Sequence, residues 1–471
     1  MSKALRFCFL FIQISCFSTT LSFASEKRIH GFFIQPALGY GATDYQKFNT
    51  QNEYDAWLKS MADVGSEMLF YQWSTHYEHN QTWYSSAYGG ASSADFSFYK
   101  PNPLTINSIP TRGWATDATW TGTPSKGGKE PLLYTLDAAA KNGVKVWLGL
   151  YLNESSNSYN WWSAISDNTI TANDSAIIQH HIDRSNAVAK DLITLYGNHP
   201  AFGGIYYSIE VANLGFIPPA NHPYLAYIIQ SVANTVHKAS PTTQLAMCPF
   251  FNTTLGTPQE FEDMWNYVLK NSDLDILMIQ DGVGVDPFTL TTTNDKVTPY
   301  IKAIAKAAQQ NNVPLWGNAE LFTNLGTRES PSFIPTDTAK LKLQIQTLAP
   351  YVNKIVSFGF EYLDPNPKYT SISSEKRSKL YNDYKQFYQN WKLTQSTSQL
   401  LINRNSSHSL TLNLKDKGNG DIQVFNSKGE QIKVNMSASS PEEFLIDFQS
   451  QAQGLYFIKT LSKSASFVVL E

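Results

Sequence analysis

Eight short apolar runs, each followed by a stretch of helical periodicity, limit this chain more than any other feature of its sequence. Strand-length runs that alternate with helices specify β/α units and a parallel sheet. The runs are Gly31 to Pro36, Met68 to Trp73, Val144 to Tyr151, Gly204 to Glu210, Gln244 to Phe251, Ile276 to Gln280, Pro314 to Glu320 and Lys354 to Glu361. Helical patterns lie near 53–64, 131–142, 174–196, 222–238, 258–271, 297–311, 337–349 and 374–391. Asn142-Gly143 closes the second helix, and Thr257-Pro258 followed by Glu260 opens the fifth. Eight such units have the size and rhythm of a TIM barrel. An open doubly wound sheet is the alternative. It would carry a Gly-rich phosphate loop after its first strand, and "QPALGYGATDYQ" has neither the G-x-G-x-x-G spacing nor a helix starting on it. The expected fold is therefore α/β, a (β/α)8 barrel over 25–392.

Residues 1–24 read as a signal peptide, with Lys3 and Arg6 before an apolar run from Phe7 to Phe17 and then Ser22-Phe23-Ala24. That run is too short to span a bilayer, and no later stretch approaches about 18 apolar residues. The expected location is secreted, periplasmic or cell-surface. Cys8 and Cys16 fall in the signal, which leaves Cys248 alone in the mature chain and no internal disulfide. Without Lys3 and Arg6 the 36 basic residues become 34 against 39 acidic ones, a net charge of −5. Such a chain offers no polycation to nucleic acid or to a membrane surface. Aromatic residues at 13% and charged residues at only 16% suit a large core, and also a groove for a neutral, polyhydroxylated ligand.

Two regions break the β/α rhythm. From about 74 to 130 the chain is rich in Ser, Thr, Gly and aromatics, including Trp83, Tyr84, Tyr88, Trp114 and Trp120. Long connections inside a domain usually carry function, and this one follows the second strand, so it should lie over the catalytic face. From 393 to 471 the pattern turns to alternating strands such as "DIQVFNSKGEQIKVNM" and "GLYFIKTL", with turns at Lys417-Gly418-Asn419-Gly420 and Lys428-Gly429. A small β-sandwich is expected there. "VFNSKGEQI" and "GLYFIKT" resemble the C-terminal sorting domain of the type IX secretion system, which implies secretion machinery as a partner. A plain accessory β-sandwich is the other reading.

Carboxylates end several strands. In a β/α barrel, side chains at the C-terminal strand ends build the active site. Alternation puts side chains two apart on one face. On the fourth strand Tyr206, Ser208 and Glu210 share a face; on the seventh Trp316, Asn318 and Glu320 do; on the eighth Ser357, Gly359 and Glu361 do. These sets are expected to point into the barrel mouth. Asp281 begins the loop after Gln280, and its direction is open. The bland alternative for any one strand-end carboxylate is an ion pair at the rim.

Carboxylates on strands four and seven resemble the large retaining glycosidase clan of this fold, in which the fourth-strand Glu is acid/base and the seventh-strand Glu nucleophile. Carboxyls about 5–5.5 Å apart allow direct attack, and about 6.5–9.5 Å leaves room for a water and gives inversion. Glu210 would need a raised pKa to donate its proton, and Glu320 is expected to supply part of it. Ile209 stands where that clan places Asn. "GFFIQP", "EYDAWLKSMADVGSEMLFYQWS", "GGIYYSIEV", "IQDGVG", "GNAELF" and "SFGFEYLDP" further resemble the bacterial family catalogued as domain of unknown function 4434, barrel proteins regarded as glycosidase-like. The resemblance implies pocket positions at Gln35, Gln72, Trp73, Glu210, Gln280, Asp281, Glu320 and Glu361. Gln35, Gln72 and Gln280 each end an apolar strand with an amide that can bond sugar hydroxyls. Trp73 and Trp316 offer flat apolar faces, and Tyr206, Asn318, Tyr151 and Asn153 complete the substrate-binding set.

Competing chemistries fit less well. His76 and His79 lie in the insert, the adjacent His180 and His181 point apart on a helix, and no three converging metal ligands can be assembled. Neither metal nor cofactor is expected. Cys248 sits among apolar neighbours as an inert thiol, and no G-x-S-x-G elbow occurs. Substrate-assisted, chitinase-like catalysis would want Asp two residues before Glu210, where Ser208 stands. The expected function is an exported glycoside hydrolase of the retaining kind, with Glu210 as acid/base and Glu320 as nucleophile on a glycan. The alternative is a non-catalytic carbohydrate-binding or surface-assembly protein using the same pocket.

Overall fold

The computed structural model describes residues 28–35, 50–79, 93–99, 111–112, 130–154, 159–166, 168–285, 290–327, 330–366 and 372–398, with strand segments of the C-terminal region between 401 and 469. The segment 1–24 read as a signal peptide and much of the 74–130 insert lie outside the described residues.

Eight parallel strands close into a barrel: Ile29–Ile34, Met68–Tyr71, Lys145–Gly149, Phe202–Tyr207, Leu245–Met247, Ile276–Gln280, Leu315–Glu320 and Lys354–Phe358. The eighth pairs back onto the first, with Phe32 opposite Ser357. Six strands stop short of the sequence expectation: the first at Ile34, the second at Tyr71, the third at Gly149, the fourth at Tyr207, the fifth at Met247 and the eighth at Phe358. The apolar runs continue past these ends because residues such as Ile209, Val211 and Phe251 stay buried against the rim after the ladder has stopped. Burial, not pairing, extended the pattern.

The helices between strands are Gln51–Asp63, Pro131–Lys141, Ala172–Tyr196, His222–Ala239, Pro258–Lys270, Leu290–Gln310, Thr338–Leu348 and Ser374–Ser398. Their starts follow local chemistry. Thr257 and Glu260 form a capping box with Pro258 in the first turn. Thr171 and Asp174 do the same for the third helix, and the Asp337 carboxylate caps the seventh through the Lys340 amide. The sixth helix begins at Leu290, earlier than the periodicity suggests, and carries Pro299 inside it.

Strand alternation divides the core in two. Phe33, Met68, Phe70, Trp147, Tyr206, Ala246, Cys248, Ile276, Met278, Trp316 and Val356 fill the barrel interior. The opposite faces, with residues such as Ile34, Leu69, Leu148, Ile205, Leu277 and Ala319, pack against the helices. "GGIYY" begins with glycines for a steric reason: a Cβ on Gly204 would lie 2.5 Å from the Trp147 ring. The indole occupies that space.

Above the C-terminal strand ends sits a second, smaller sheet, in the order Thr111–Arg112, Ser93–Ser97, Thr75–His79, Tyr151–Asn153. The described parts of the insert are thus strands. Farther along, two four-stranded antiparallel sheets run in the orders Leu401–Arg404, Ser409–Asn413, Glu443–Asp447, Asn435–Ser440 and Gln431–Ile432, Gln423–Asn426, Gly454–Lys459, Ser464–Val469. The described segments of the C-terminal region form antiparallel strands, as the alternation indicates.

Candidate active site at the barrel mouth

Glu320 is the last residue of the seventh strand and is only 2% exposed. Its Oε2 accepts the backbone N–H groups of Gly284 at 2.5 Å and Val285 at 3.1 Å, both in the turn after the sixth strand. Glycine is required at 284, since a Cβ there would stand 2.6 Å from the Phe322 carbonyl and 2.8 Å from Glu320 Oε2. Asp281 opens that turn, 1% exposed. Its Oδ1 accepts from the Val283 amide at 3.2 Å, and its Oδ2 from Gln344 Nε2 at 2.8 Å. Gln344 Nε2 also donates to the Glu320 carbonyl at 3.1 Å. Burial, then the Asp281 charge, push the Glu320 carboxyl up, while the two amides and the Lys340 ammonium pull it down. Asp281 is likewise raised by burial.

Glu210 lies three residues beyond the end of the fourth strand, half-buried, with its backbone carbonyl held by the Trp161 indole N–H. Its pKa is pushed up to about 8, first by burial and then by the Glu154 charge, against a hydrogen bond from Gln280. Glu320 is not among the causes, so the expectation that it raises Glu210 is corrected: the like charge comes from Glu154, at the end of the third unit. Glu154 Oε1 in turn accepts from Trp162 Nε1 at 2.9 Å.

Cys248 links the two sides. Gln280 Nε2 donates to its carbonyl at 3.3 Å and Asn318 Nδ2 to its sulfur at 3.3 Å. Burial raises the thiol, and Glu210, Glu320 and Asp281 all add to the effect. The three carboxylates therefore all act electrostatically on one group at the top of the barrel core. A neutral, buried thiol there is a poor nucleophile.

The other sequence-expected residues divide. Gln35 and Gln72 continue the inward faces of Phe33 and Phe70, Gln35 half-buried and Gln72 buried, its Oε1 without a hydrogen bond among the described residues. Asn153 is buried at the end of the small sheet's strand. Trp73 and Tyr151 instead belong to the layer between strands and helices, and Tyr151 packs 5.4 Å from the His181 ring. Trp73 follows Gln72, so alternation turns it outward, and Tyr151 has left the barrel strand for the small sheet. Trp316 points inward but sits low in the barrel, in register with Lys354 and 6.0 Å from Trp147. Tyr206 packs edge-on to Phe33 at 5.1 Å. Both are interior packing. Glu361, 3% exposed, lies in the 3-10 turn Phe360–Tyr362, so strand alternation does not orient it. Val356 and Phe358, not Ser357, line the interior. Burial and Asp364 raise the Glu361 pKa to about 7.

Strand-end reasoning missed Glu154, Trp162, Phe250, Lys340 and Gln344. Glu154 is one residue past Asn153, the last position read on that run. Trp162 and Phe250 pack with ring centroids 5.9 Å apart, both half-buried. Lys340 and Gln344 stand one turn apart on the seventh helix, where no strand pattern points.

Residues 406–469 match the secretion system C-terminal sorting domain, which ties the chain to export. Among the described residues no helix is long and apolar enough to cross a membrane. No curated protein matches the chain. Among solved structures, a candidate alpha-L-fucosidase from Bacteroides thetaiotaomicron VPI-5482 is similar at 17% identity and TM-score 0.54, over 78% of this chain and 94% of that one. The exo-beta-1,4-mannosidase Op5Man5 from Opitutaceae bacterium strain TAV5 matches at 14% identity and TM-score 0.45, over 77% of this chain and 59% of that one. The endo-beta-1,4-mannanase from Thermotoga petrophila matches at 11% and 0.43, over 94% and 97%. At these identities the likeness is one of fold. A family model covers residues 29–370, most of the chain, and the protein belongs to that family, the domain of unknown function DUF4434.

Proposed function

We propose that the protein is an exported glycoside hydrolase acting on a glycan at or beyond the cell surface, with Glu210 as acid/base and Glu320 as nucleophile. The observation that carries the reading is the pair of carboxyls just past the fourth strand and at the end of the seventh, both close enough to Cys248 to raise its thiol and each with its own neighbours. Glu210 keeps its proton up to about pH 8, as a general acid requires. Glu320 has one oxygen gripped by backbone donors, which leaves the other to react.

In the retaining mechanism Glu320 Oε1 forms a bond to the anomeric carbon as the glycosidic C–O bond breaks, and Glu210 gives its proton to the leaving oxygen. Glu210, now ionised, takes a proton from water, whose oxygen attacks the same carbon and releases Glu320. The first step needs Glu320 ionised. Burial and the Asp281 charge raise it to about 8, as high as Glu210, and the Gly284 and Val285 amides with Lys340 work against that rise. The nucleophile's ionisation is therefore the step the site must still favour when a ligand binds. Gln35 and Gln72, continuing the inward faces of strands one and two, suit sugar hydroxyls.

The test is a panel of oligosaccharides offered to the wild-type protein, Glu210→Gln and Glu320→Gln. Turnover by the wild type alone, with the product anomer read by NMR, supports the reading and fixes retention or inversion. Binding without turnover by all three proteins overturns it in favour of a carbohydrate-binding protein.

A further inference from the structure

We propose that Asp281, held by Gln344, is the positioning residue of Glu320: it shapes the turn whose backbone donors grip Oε2 and so leaves Oε1 facing the ligand. The inference rests on the glycosidase reading for its consequence, but its geometry stands apart from it.

Three contacts carry it. Asp281 Oδ1 accepts the Val283 amide within its own turn, closing the chain over Gly282 and aiming the next two N–H groups at Glu320. The Gln344 amide joins Asp281 Oδ2 to the Glu320 main-chain carbonyl, so the turn after strand six and the end of strand seven share one donor. Both hydrogen bonds to the Glu320 carboxylate fall on Oε2, and none reaches Oε1 among the described residues. A carboxylate gripped at one oxygen cannot rotate, and its second oxygen keeps a fixed direction.

The arrangement also sets charge. Around Glu320 stand Asp281 from the sixth-strand turn, the Lys340 ammonium from the seventh helix and the Cys248 thiol just past the fifth strand, with Asp337 facing Lys340. Lys340 Nζ is anchored on Thr323 Oγ1 at 3.1 Å. Asp281 is the one like charge among Glu320's neighbours in this set, and Lys340 is its counterweight. Asp281 therefore does two things: its shape orients Glu320, and its charge opposes Glu320's ionisation.

Two variants test this without a known substrate. Asp281→Asn keeps one oxygen for the Val283 amide, removes the charge and puts an amide donor where the second oxygen accepts from Gln344, and Gln344→Met removes the shared donor. The readouts are the 13C titration midpoint of the Glu320 carboxyl, assigned by its loss in Glu320→Gln, and the 15N–1H signals of Gly284 and Val285. The expected result for Asp281→Asn is a midpoint lowered by about one pH unit or more. For Gln344→Met the Gly284 and Val285 amide signals should move toward those of unbonded amides. An unmoved midpoint in the first variant together with unmoved amides in the second overturns the proposal, whatever any glycan assay shows. Where a glycan is turned over, a lowered kcat with little change in KM supports it. Absence of turnover on every glycan with the midpoint shifted instead sinks the glycosidase reading and leaves the positioning role standing.

Discussion

The sharpest consequence of the site concerns Glu154. Replacing it by Gln keeps an oxygen to accept from Trp162 Nε1 and removes the charge beside Glu210. Glu210 is held at about 8, well above its ordinary 4.5, with burial the larger cause and Glu154 the next. A charge a few ångströms from a carboxyl moves it by about 1–3 pH units, and the half-buried setting of Glu154 reduces the expected effect to about 1–2. The Glu210 midpoint of Glu154→Gln should therefore fall to about 6–7, followed directly by NMR of 13C-labelled glutamate. The alkaline limb of any hydrolytic activity should move down with it, because the general acid is lost as pH rises through that midpoint. Stability follows the same sign. Between 4.5 and about 8 the native state holds a proton that the unfolded chain has lost, so wild-type stability falls as pH rises through that window. Part of the loss should vanish in the variant. A Glu210 midpoint near 4.5 in the wild type, or one that does not move when Glu154 is neutralised, would refute the reasoning.

Three further outcomes are expected. Glu361→Gln should gain on the wild type as pH rises from 4.5 to about 7, by up to about 3 kcal/mol in chemical denaturation, and a pH-independent difference would contradict its buried, proton-holding state. Gly284→Ala should push the turn off Glu320, because the new Cβ meets the Phe322 carbonyl at 2.6 Å, and cost about 100-fold in kcat/KM; full activity would show that the grip on Oε2 is dispensable. The Cys248 thiol, 1% exposed and raised by burial, should resist Ellman's reagent at pH 8 in the folded mature protein and react at once in denaturant.

Much of the barrel could be read from the chain because periodicity is a local property. Apolar runs of strand length and helices opened by Thr257-Pro258 or Thr171 announce themselves within a dozen residues, and the inward set of the seventh strand follows from alternation alone. The same local logic failed where a strand had already ended. Glu361 sits in a turn, Tyr151 in another sheet and Trp73 in the layer against the helices, so strand alternation does not orient them toward the barrel mouth.

By itself the sequence determined which carboxylates cap the strands, since Glu210 and Glu320 stand at the ends of apolar runs that burial forces inward. Only the tertiary structure decided what each carboxylate feels. Glu154 comes from the third unit, Asp281 from the sixth and Gln344 with Lys340 from the seventh helix, and closure of the barrel brings these distant segments within hydrogen-bonding and Coulombic reach. Proton affinity depends on burial and on charges a few ångströms away, and no pattern along the chain encodes that distance.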